Sequence, residues 1–389
     1  MKLEQKRWDS VHGWIPELTK TEIGDAQLIL IFGATPLLKE QIQLQQIKDT
    51  YPHAHTFGCS TAGEICGTQV TDDSIVVTAI KFEHTQIKDV KVNLSQVESS
   101  YQAGEFLAKA LPLTLPSLMS GGEDKLKHVL VLSDGSKVNG SDLVRGLTSQ
   151  LPGGTTFTGG LAGDGDRFGE TLVFGDSRPA KETIAVVGLY GSRLIVSSGS
   201  LGGWDPFGPE RLITNSKGNI LYELDGHSAL KLYKNYLGEH AKGLPSTALL
   251  FPLSIRNKSG ETGVVRTILS VDENEHSMTF AGDVPEGSYA RFMKANFDRL
   301  IDGAVGAAKT AHQAIGTVAP NLAILISCVG RKLILKQRVE EEIEGVRDVF
   351  GEQTILAGFY SYGEIAPFIT GAKCELQNQT MTITTFLEE

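Results

Sequence analysis

The chain has 389 residues, 41% of them hydrophobic and 21% charged, with a formal net charge of −10. That length exceeds one ordinary core and predicts two domains. The acidic balance, without any Lys/Arg run, excludes nucleic acid and anionic membrane as natural partners.

No apolar run approaches the roughly 18 residues of a membrane span, and the first residues lack a signal-peptide core. The expected compartment is therefore the cytoplasm. Cys59, Cys66, Cys328 and Cys374 make no C-x-x-C pair. That argues against zinc and against a disulfide framework.

In chain order, residues 1–24 are polar, carry Trp8 and Trp14, and are expected to drape over the first domain. The run 27–32 is short and apolar without alternation, which suggests a strand buried on both faces. Thr35 as N-cap and Pro36 at the first helical position start a helix over 36–49. A short apolar run ends at Phe57, and the turn Gly58-Cys59-Ser60-Thr61-Ala62-Gly63-Glu64-Ile65 follows. Strands are expected at 74–82 and 87–94, and a linker or surface loop at 112–125. The order then returns: strand 128–133, helix 143–151, strand 155–157 and the turn Thr158-Gly159-Gly160-Leu161-Ala162-Gly163-Asp164-Gly165. Strands at 172–174, 184–190 and 194–198 complete the first domain.

Pro206, Pro209 and their flanking glycines punctuate the chain after residue 200, so the expected domains are 25–200 and 201–389. The second opens with a helix over 226–237 capped by Asp225. Strand-like runs follow at 248–255, 264–271 and 277–281, then a long helix over 289–315 rich in Gly and Ala. Strand 322–327, an amphipathic helix over 332–350 and strand 354–357 lead into Gly358-Phe359-Tyr360-Ser361-Tyr362-Gly363-Glu364-Ile365. This last turn shares its first Gly and its Gly-Glu-Ile with the first. Recurrence of this kind suggests an internal repeat. The predicted fold is α/β (α+β): two domains of repeated strand–helix–strand units, parallel by right-handed crossover, with added antiparallel strands.

A Gly-rich turn at the end of a buried strand lets backbone N–H groups approach a ligand, and such sheets bind ligands off their carboxyl ends. The candidate ligand site is therefore Gly58, Cys59, Ser60, Thr61, Gly63 and Glu64, with Gly160, Ala162, Gly163 and Asp164, and Ser361, Tyr362, Gly363 and Glu364. Alternatively these are tight turns in which Glu64 and Glu364 cap a neighbouring backbone N–H. For an amino-acid ligand, Glu64 or Glu364 would receive the ammonium, and Arg256 or Arg266 the carboxylate. Gly58–Ala62 nearly matches a nucleophile elbow, so the competing class is a hydrolase using Ser60 or Cys59. No complete catalytic set accompanies it, and a non-enzymatic protein is expected. His53 and His55 share a strand face and could hold a metal or form a solvated edge. His227, in a capped first turn, is the candidate haem ligand, since the helix dipole favours neutral imidazole there.

The three turns, together with Asp283-Val284-Pro285-Glu286-Gly287-Ser288, resemble the FIST N-terminal and C-terminal domains of prokaryotic sensory proteins. The resemblance covers about 25–200 and 210–375. It implies a ligand-binding sensor in signal transduction, with small ligands such as amino acids. The stretches Gly203–Arg211 and Tyr222–Leu230 look like a stand-alone subgroup that binds haem, senses nitric oxide and works with histidine kinases or cyclic-dinucleotide enzymes. Haem is thus a possible cofactor, and the output would come from a separate partner protein.

Overall fold

The computed structural model describes residues 1–117, 121–244, 246–258, 263–316, 318–367 and 373–389. It is a mixed α/β protein built on four sheets.

Three of the sheets share one plan. The first pairs Leu28–Gly33 in parallel with His55–Ser60, adds Ile75–Lys81 antiparallel on the other side, then Lys2–Asp9, and ends at the short strand Gly13–Ile15. The second uses Glu123–Ser133, Thr156–Leu161, Thr183–Tyr190 and Gln86–Asn93 in the same places. The third uses Leu322–Cys328, Ile355–Ser361, Met381–Glu388 and Leu194–Leu201. Each sheet also takes a short strand from another unit. Val173–Gly175 joins the first sheet, Gly363–Pro367 the second, and Glu64–Cys66 the third. The exchange closes a ring, so no sheet is complete without a segment remote in sequence.

This ring explains the unalternating apolar runs. Leu28, Leu30, Phe32, Leu130, Leu132, Leu322, Ile324 and Ile326 point inward to one shared core. The Phe32 and Phe359 rings meet there at 4.7 Å. The intervening residues face outer helices: Ile29 and Ile31 lie with Leu38 and Ile47, Val129 and Val131 with Leu143 and Leu147, Ala323 and Leu325 with Ile343 and Val346. Helices on the outside and a common core inside leave both strand faces dry.

Between Leu194–Leu201 and the helix Phe297–Ile315 the chain builds the fourth sheet, from Asp205–Lys217 to Tyr289–Lys294. Its separate core includes Leu221, Tyr233, Phe280 and Phe292. Small residues let Phe297–Ile315 sit tightly on the third sheet: a Cβ on Gly199 would stand 2.1 Å from the Ala307 carbonyl oxygen.

Several local expectations change. Residues 2–9 form a strand of the first sheet rather than a drape, because Ile75–Lys81 offers them an unpaired side, and residues 13–15 pair with them in turn. The helix expected at 36–49 divides into Thr35–Glu40 and Ile42–Thr50 at Gln41, where φ is +61°, and Ala34 rather than Thr35 is the N-cap. Within 112–125, Thr114–Pro116 pairs with residues 123–125, while residues 118–120 lie outside the described residues. The long helix starts at Phe297 instead of 289, since Asn296 caps the N–H groups of Asp298 and Arg299 and Tyr289–Lys294 is a strand. The last helix is two, Val329–Leu335 and Val339–Phe350, with Lys336 at φ +53° between them. The helix expected at 226–237 is Ala229–Leu237, capped by Ser228. Asp225 instead takes a hairpin turn at φ +52°, and His227 is an exposed residue paired with Leu224 rather than a first-turn residue.

Candidate functional site

The glycines at the strand ends have a backbone cause. Gly58, Gly159 and Gly358 lie opposite Ile31, Val131 and Leu325 in the three parallel ladders. A Cβ there would meet those residues' carbonyl oxygens at 2.2, 1.9 and 1.8 Å. No side chain fits at such an approach. The equivalent glycine of the middle unit is Gly159, not the Thr158 that a direct 100-residue offset aligns with Gly58. The doubled Gly159-Gly160 was the signal for that one-residue shift.

The three turns do meet, through backbone bonds. Gly163 N–H donates to Ser60 O at 2.9 Å, and Ala62 N–H donates to Tyr360 O at 2.8 Å. Tyr360 N–H donates to Gly63 O at 2.8 Å, and Tyr362 N–H to Leu161 O at 3.2 Å. A Cβ on Gly163 would stand 2.7 Å from Ala62 N, so this glycine serves contact between turns. One on Gly160 would meet Ile326 Cγ2 at 2.7 Å.

Glu64 and Glu364 occupy matching positions, each held by hydroxyls and one backbone N–H. Glu64 accepts from Thr61 Oγ1, from Ser74 Oγ at 2.6 Å and from Ser74 N–H at 3.3 Å. Glu364 accepts from Ser361 Oγ at 2.6 Å, Thr380 Oγ1 at 2.9 Å and Thr380 N–H at 3.2 Å. Burial pushes their carboxyls up to about 7 and about 8, only partly offset by these donors. Among the described residues no cation bonds either carboxyl directly; the Lys332 and Arg331 charges lower them, but burial outweighs that and favours the protonated form. Asp164 behaves oppositely. Burial raises it, but Arg167, Thr35 and the Glu170 N–H hold it below the carboxylate range.

The nucleophile candidates are both engaged or sealed. Ser60 Oγ donates to Gly163 O and accepts from Leu172 N–H, each at 2.8 Å. Cys59 is fully buried, and burial pushes its thiol well up. Arg256 grips Glu210 through two bonds of 2.7 and 2.6 Å. Arg266 is buried and donates to Leu376 O at 2.9 Å.

Beside the meeting turns lies a cleft of about 780 Å³. It sits where the second and third sheets end, at 135–140 and 328–330, and the fourth sheet covers it with Thr267, Ile268, Phe280 and Gly282. Tyr362 and Phe168 form one wall, their rings stacked at 4.6 Å. Tyr362 Oη accepts N–H bonds from Asp164 at 3.0 Å and Phe168 at 3.1 Å. These bonds hold Phe168 at φ +50° with its ring 47% exposed. Gln379 lies behind the lining residues Thr267 and Gly330. Its Nε2 donates to Thr267 Oγ1 at 3.0 Å, while its buried Oε1 has no partner. Gly330 makes room for this amide, since a Cβ there would stand 2.5 Å from Nε2.

Of the candidate residues read from the sequence, Tyr362 lines the cleft. Gly58, Cys59, Ser60, Thr61, Gly63, Glu64, Gly160, Ala162, Gly163, Asp164, Ser361, Gly363 and Glu364 are buried in the turns and strand ends. Lys137, Phe168, Thr267, Cys328 and Gly330 line the cleft and were not singled out. Only Gly330, directly after an apolar strand, offered a signal in the sequence. The remainder depend on how the fourth sheet folds back.

Crossover strands, exchanged edges and a cleft at the strand ends define a mixed α/β protein. The chain belongs to the FIST family: residues 27–227 match the FIST N domain and residues 229–367 the FIST C domain. FIST domains are associated with sensory signal transduction. Similar proteins include an uncharacterised protein of Methanocaldococcus jannaschii, 24% identical over 356 residues, covering 85% of this chain and 65% of that one. An uncharacterised protein of Mycobacterium tuberculosis H37Rv is 26% identical over 258 residues, covering 61% of this chain and 63% of its own. Each match thus spans less than two thirds of the relative's length. Among the described residues no helix is long and apolar enough to cross a membrane, which says nothing of a β-barrel.

Proposed function

We propose that the protein is a sensor that binds a small polar metabolite, of amino-acid type, in the cleft and signals through a separate partner such as a histidine kinase or cyclic-dinucleotide enzyme. The observation that carries this is the cleft itself: about 780 Å³, with apolar walls, an aromatic stack and few polar groups. Ligand sites have that make-up and that place in α/β folds. The Gly-acid turns act in this reading as the rigid support that fixes Tyr362, and the chain is a threefold internal repeat supported by the shared sheet plan.

Haem fits this cleft poorly. Among the described residues its lining includes no histidine, and burial drives the Cys328 thiol far above its usual range. His227 is exposed on the fourth sheet. The hydrolase alternative is disfavoured by the doubly bonded Ser60 hydroxyl.

The test is thermal melting with a panel of amino acids. A binder raises the midpoint in proportion to RT ln(1 + [L]/Kd). Phe168→Ala should abolish the shift while leaving the unliganded midpoint within a few degrees. A panel-wide null result would refute the amino-acid reading. A Soret band on haem addition, shifted by nitric oxide and lost in His227→Ala, would replace it with the haem reading. Ester turnover abolished by Ser60→Ala would make the protein an enzyme.

A further inference from the structure

We propose that His55, Asp89 and Asp176 form a binding site for a six-coordinate divalent cation such as Mn²⁺ or Co²⁺. The site lies at the start of the strand His55–Ser60, away from the carboxyl ends where the cleft opens. Three separate segments supply it: that strand, the strand Gln86–Asn93 of the second sheet, and the turn after Val173–Gly175. Their ligand atoms all lie within 4.8 Å of one another.

The geometry separates a cation site from an ordinary ion pair. His55 Nδ1 stands 3.0 Å from Asp89 Oδ1 and 2.8 Å from Asp176 Oδ2. At those distances a protonated imidazole would aim its N–H at one oxygen. It does not: Nδ1 is buried and makes no hydrogen bond, because neither oxygen lies near the line of the ring N–H. In a metal site the ion occupies that line and the oxygens flank it. Two ligands on bonds of about 2.1 Å at right angles stand about 3.0 Å apart, against about 3.4 Å at the tetrahedral angle. The two His55–carboxylate spacings match the right-angle case, which points to six-coordinate rather than tetrahedral binding.

Charge and support agree. Two carboxylates and a neutral imidazole balance a divalent ion. Asp176 Oδ1 accepts the Thr56 N–H at 2.8 Å, which orients the carboxylate and leaves Oδ2 for the ion. The three side chains are 37%, 21% and 42% exposed, so water can fill the remaining positions. Lys91 lies nearby, and its Nζ donates to Gly175 O at 3.4 Å.

The experiment titrates the chelator-stripped full chain with Co²⁺ alone, followed by its visible absorption, and with Mn²⁺ alone by calorimetry. One equivalent of either ion should bind and raise the melting temperature. Asp89→Asn and Asp176→Asn should each weaken binding at least tenfold while circular dichroism stays native. A wild-type affinity no tighter than that of the double variant would overturn the proposal. Should the variants fail to fold, Mn²⁺ added to the wild type decides: selective broadening of the His55 ring protons supports the site, and its absence refutes it. Metabolite binding in the cleft plays no part in this readout, so either proposal can fail alone.

Discussion

Raising the pH from 6 to 8 should destabilise this protein, against the behaviour of most proteins whose carboxylates are paired. Glu64 and Glu364 are buried, and burial sets their folded pKa values at about 7 and about 8, against 4.5 for a free glutamate. A carboxyl raised in the folded state stabilises below its unfolded pKa, and that contribution is lost as pH climbs through the folded pKa. Over this window Glu364 loses about 2 kcal/mol and Glu64 about 1 kcal/mol. His128 works the other way. Burial lowers it to about 3, so the unfolded chain's imidazole releases its proton over this range and returns on the order of 1 kcal/mol. The net loss is about 2 kcal/mol, a large part of a typical 5–15 kcal/mol stability. The protonated forms have acceptors ready. Ser74 Oγ is 2.7 Å from Thr71 Oγ1 and can accept from Glu64 while donating onward. Ser361 Oγ can donate to Ser327 O at 3.3 Å while accepting from Glu364. The assay is urea denaturation at both pH values, on the wild type and Glu364→Gln. The variant should show little slope, because the Glu64 loss and the His128 gain then nearly offset each other. A wild-type stability that stays level or rises from pH 6 to 8 would refute the argument.

Gly358→Ala would put a Cβ 1.8 Å from the Leu325 carbonyl oxygen, so the parallel pair must separate. We expect a loss of about 3 kcal/mol or more in urea denaturation; a loss below about 1 kcal/mol would show that the ladder yields easily. Arg331 and Glu342 are fully buried and paired at 2.7 Å. Glu342→Ala should cost about 3–5 kcal/mol, because it leaves a buried guanidinium unpaired, whereas Arg331→Met with Glu342→Leu should cost clearly less. Equal losses would assign the effect to packing. Tyr362→Phe removes the acceptor for the Asp164 and Phe168 N–H groups and should cost about 1–2 kcal/mol by melting. Phe168 should also lose its order, visible as a sharpened, shifted ring signal; an unchanged ring environment would show that stacking alone holds it.

What the sequence by itself determined is the unit. Apolar runs at 27–32, 128–133 and 322–327 lack alternation because both faces are buried, and that pattern can be read without coordinates. The glycines at 58 and 358 are legible for a related reason: a Cβ collides with the neighbouring strand, so the position admits one residue type. Helix starts were misleading whether or not a side chain does the capping: Asn296 and Ser228 cap helices expected from 289 and 226, and no side chain caps the helix at Thr35. Asn296 starts a helix that periodicity alone placed at 289, and Gln41 breaks one that Pro36 announced. Tertiary structure alone decided the rest. The exchange of 64–66, 173–175 and 363–367 among three sheets leaves no local trace, because short strands carry too few residues to mark their partners. The cleft is of the same kind. Phe168, Thr267 and Gly330 come together only when the fourth sheet folds over the ends of the second and third. The same holds for His55, Asp89 and Asp176, which converge because the first sheet borrows its edge from the second unit. Periodicity reports what a residue faces, whereas a site depends on which distant segments face each other.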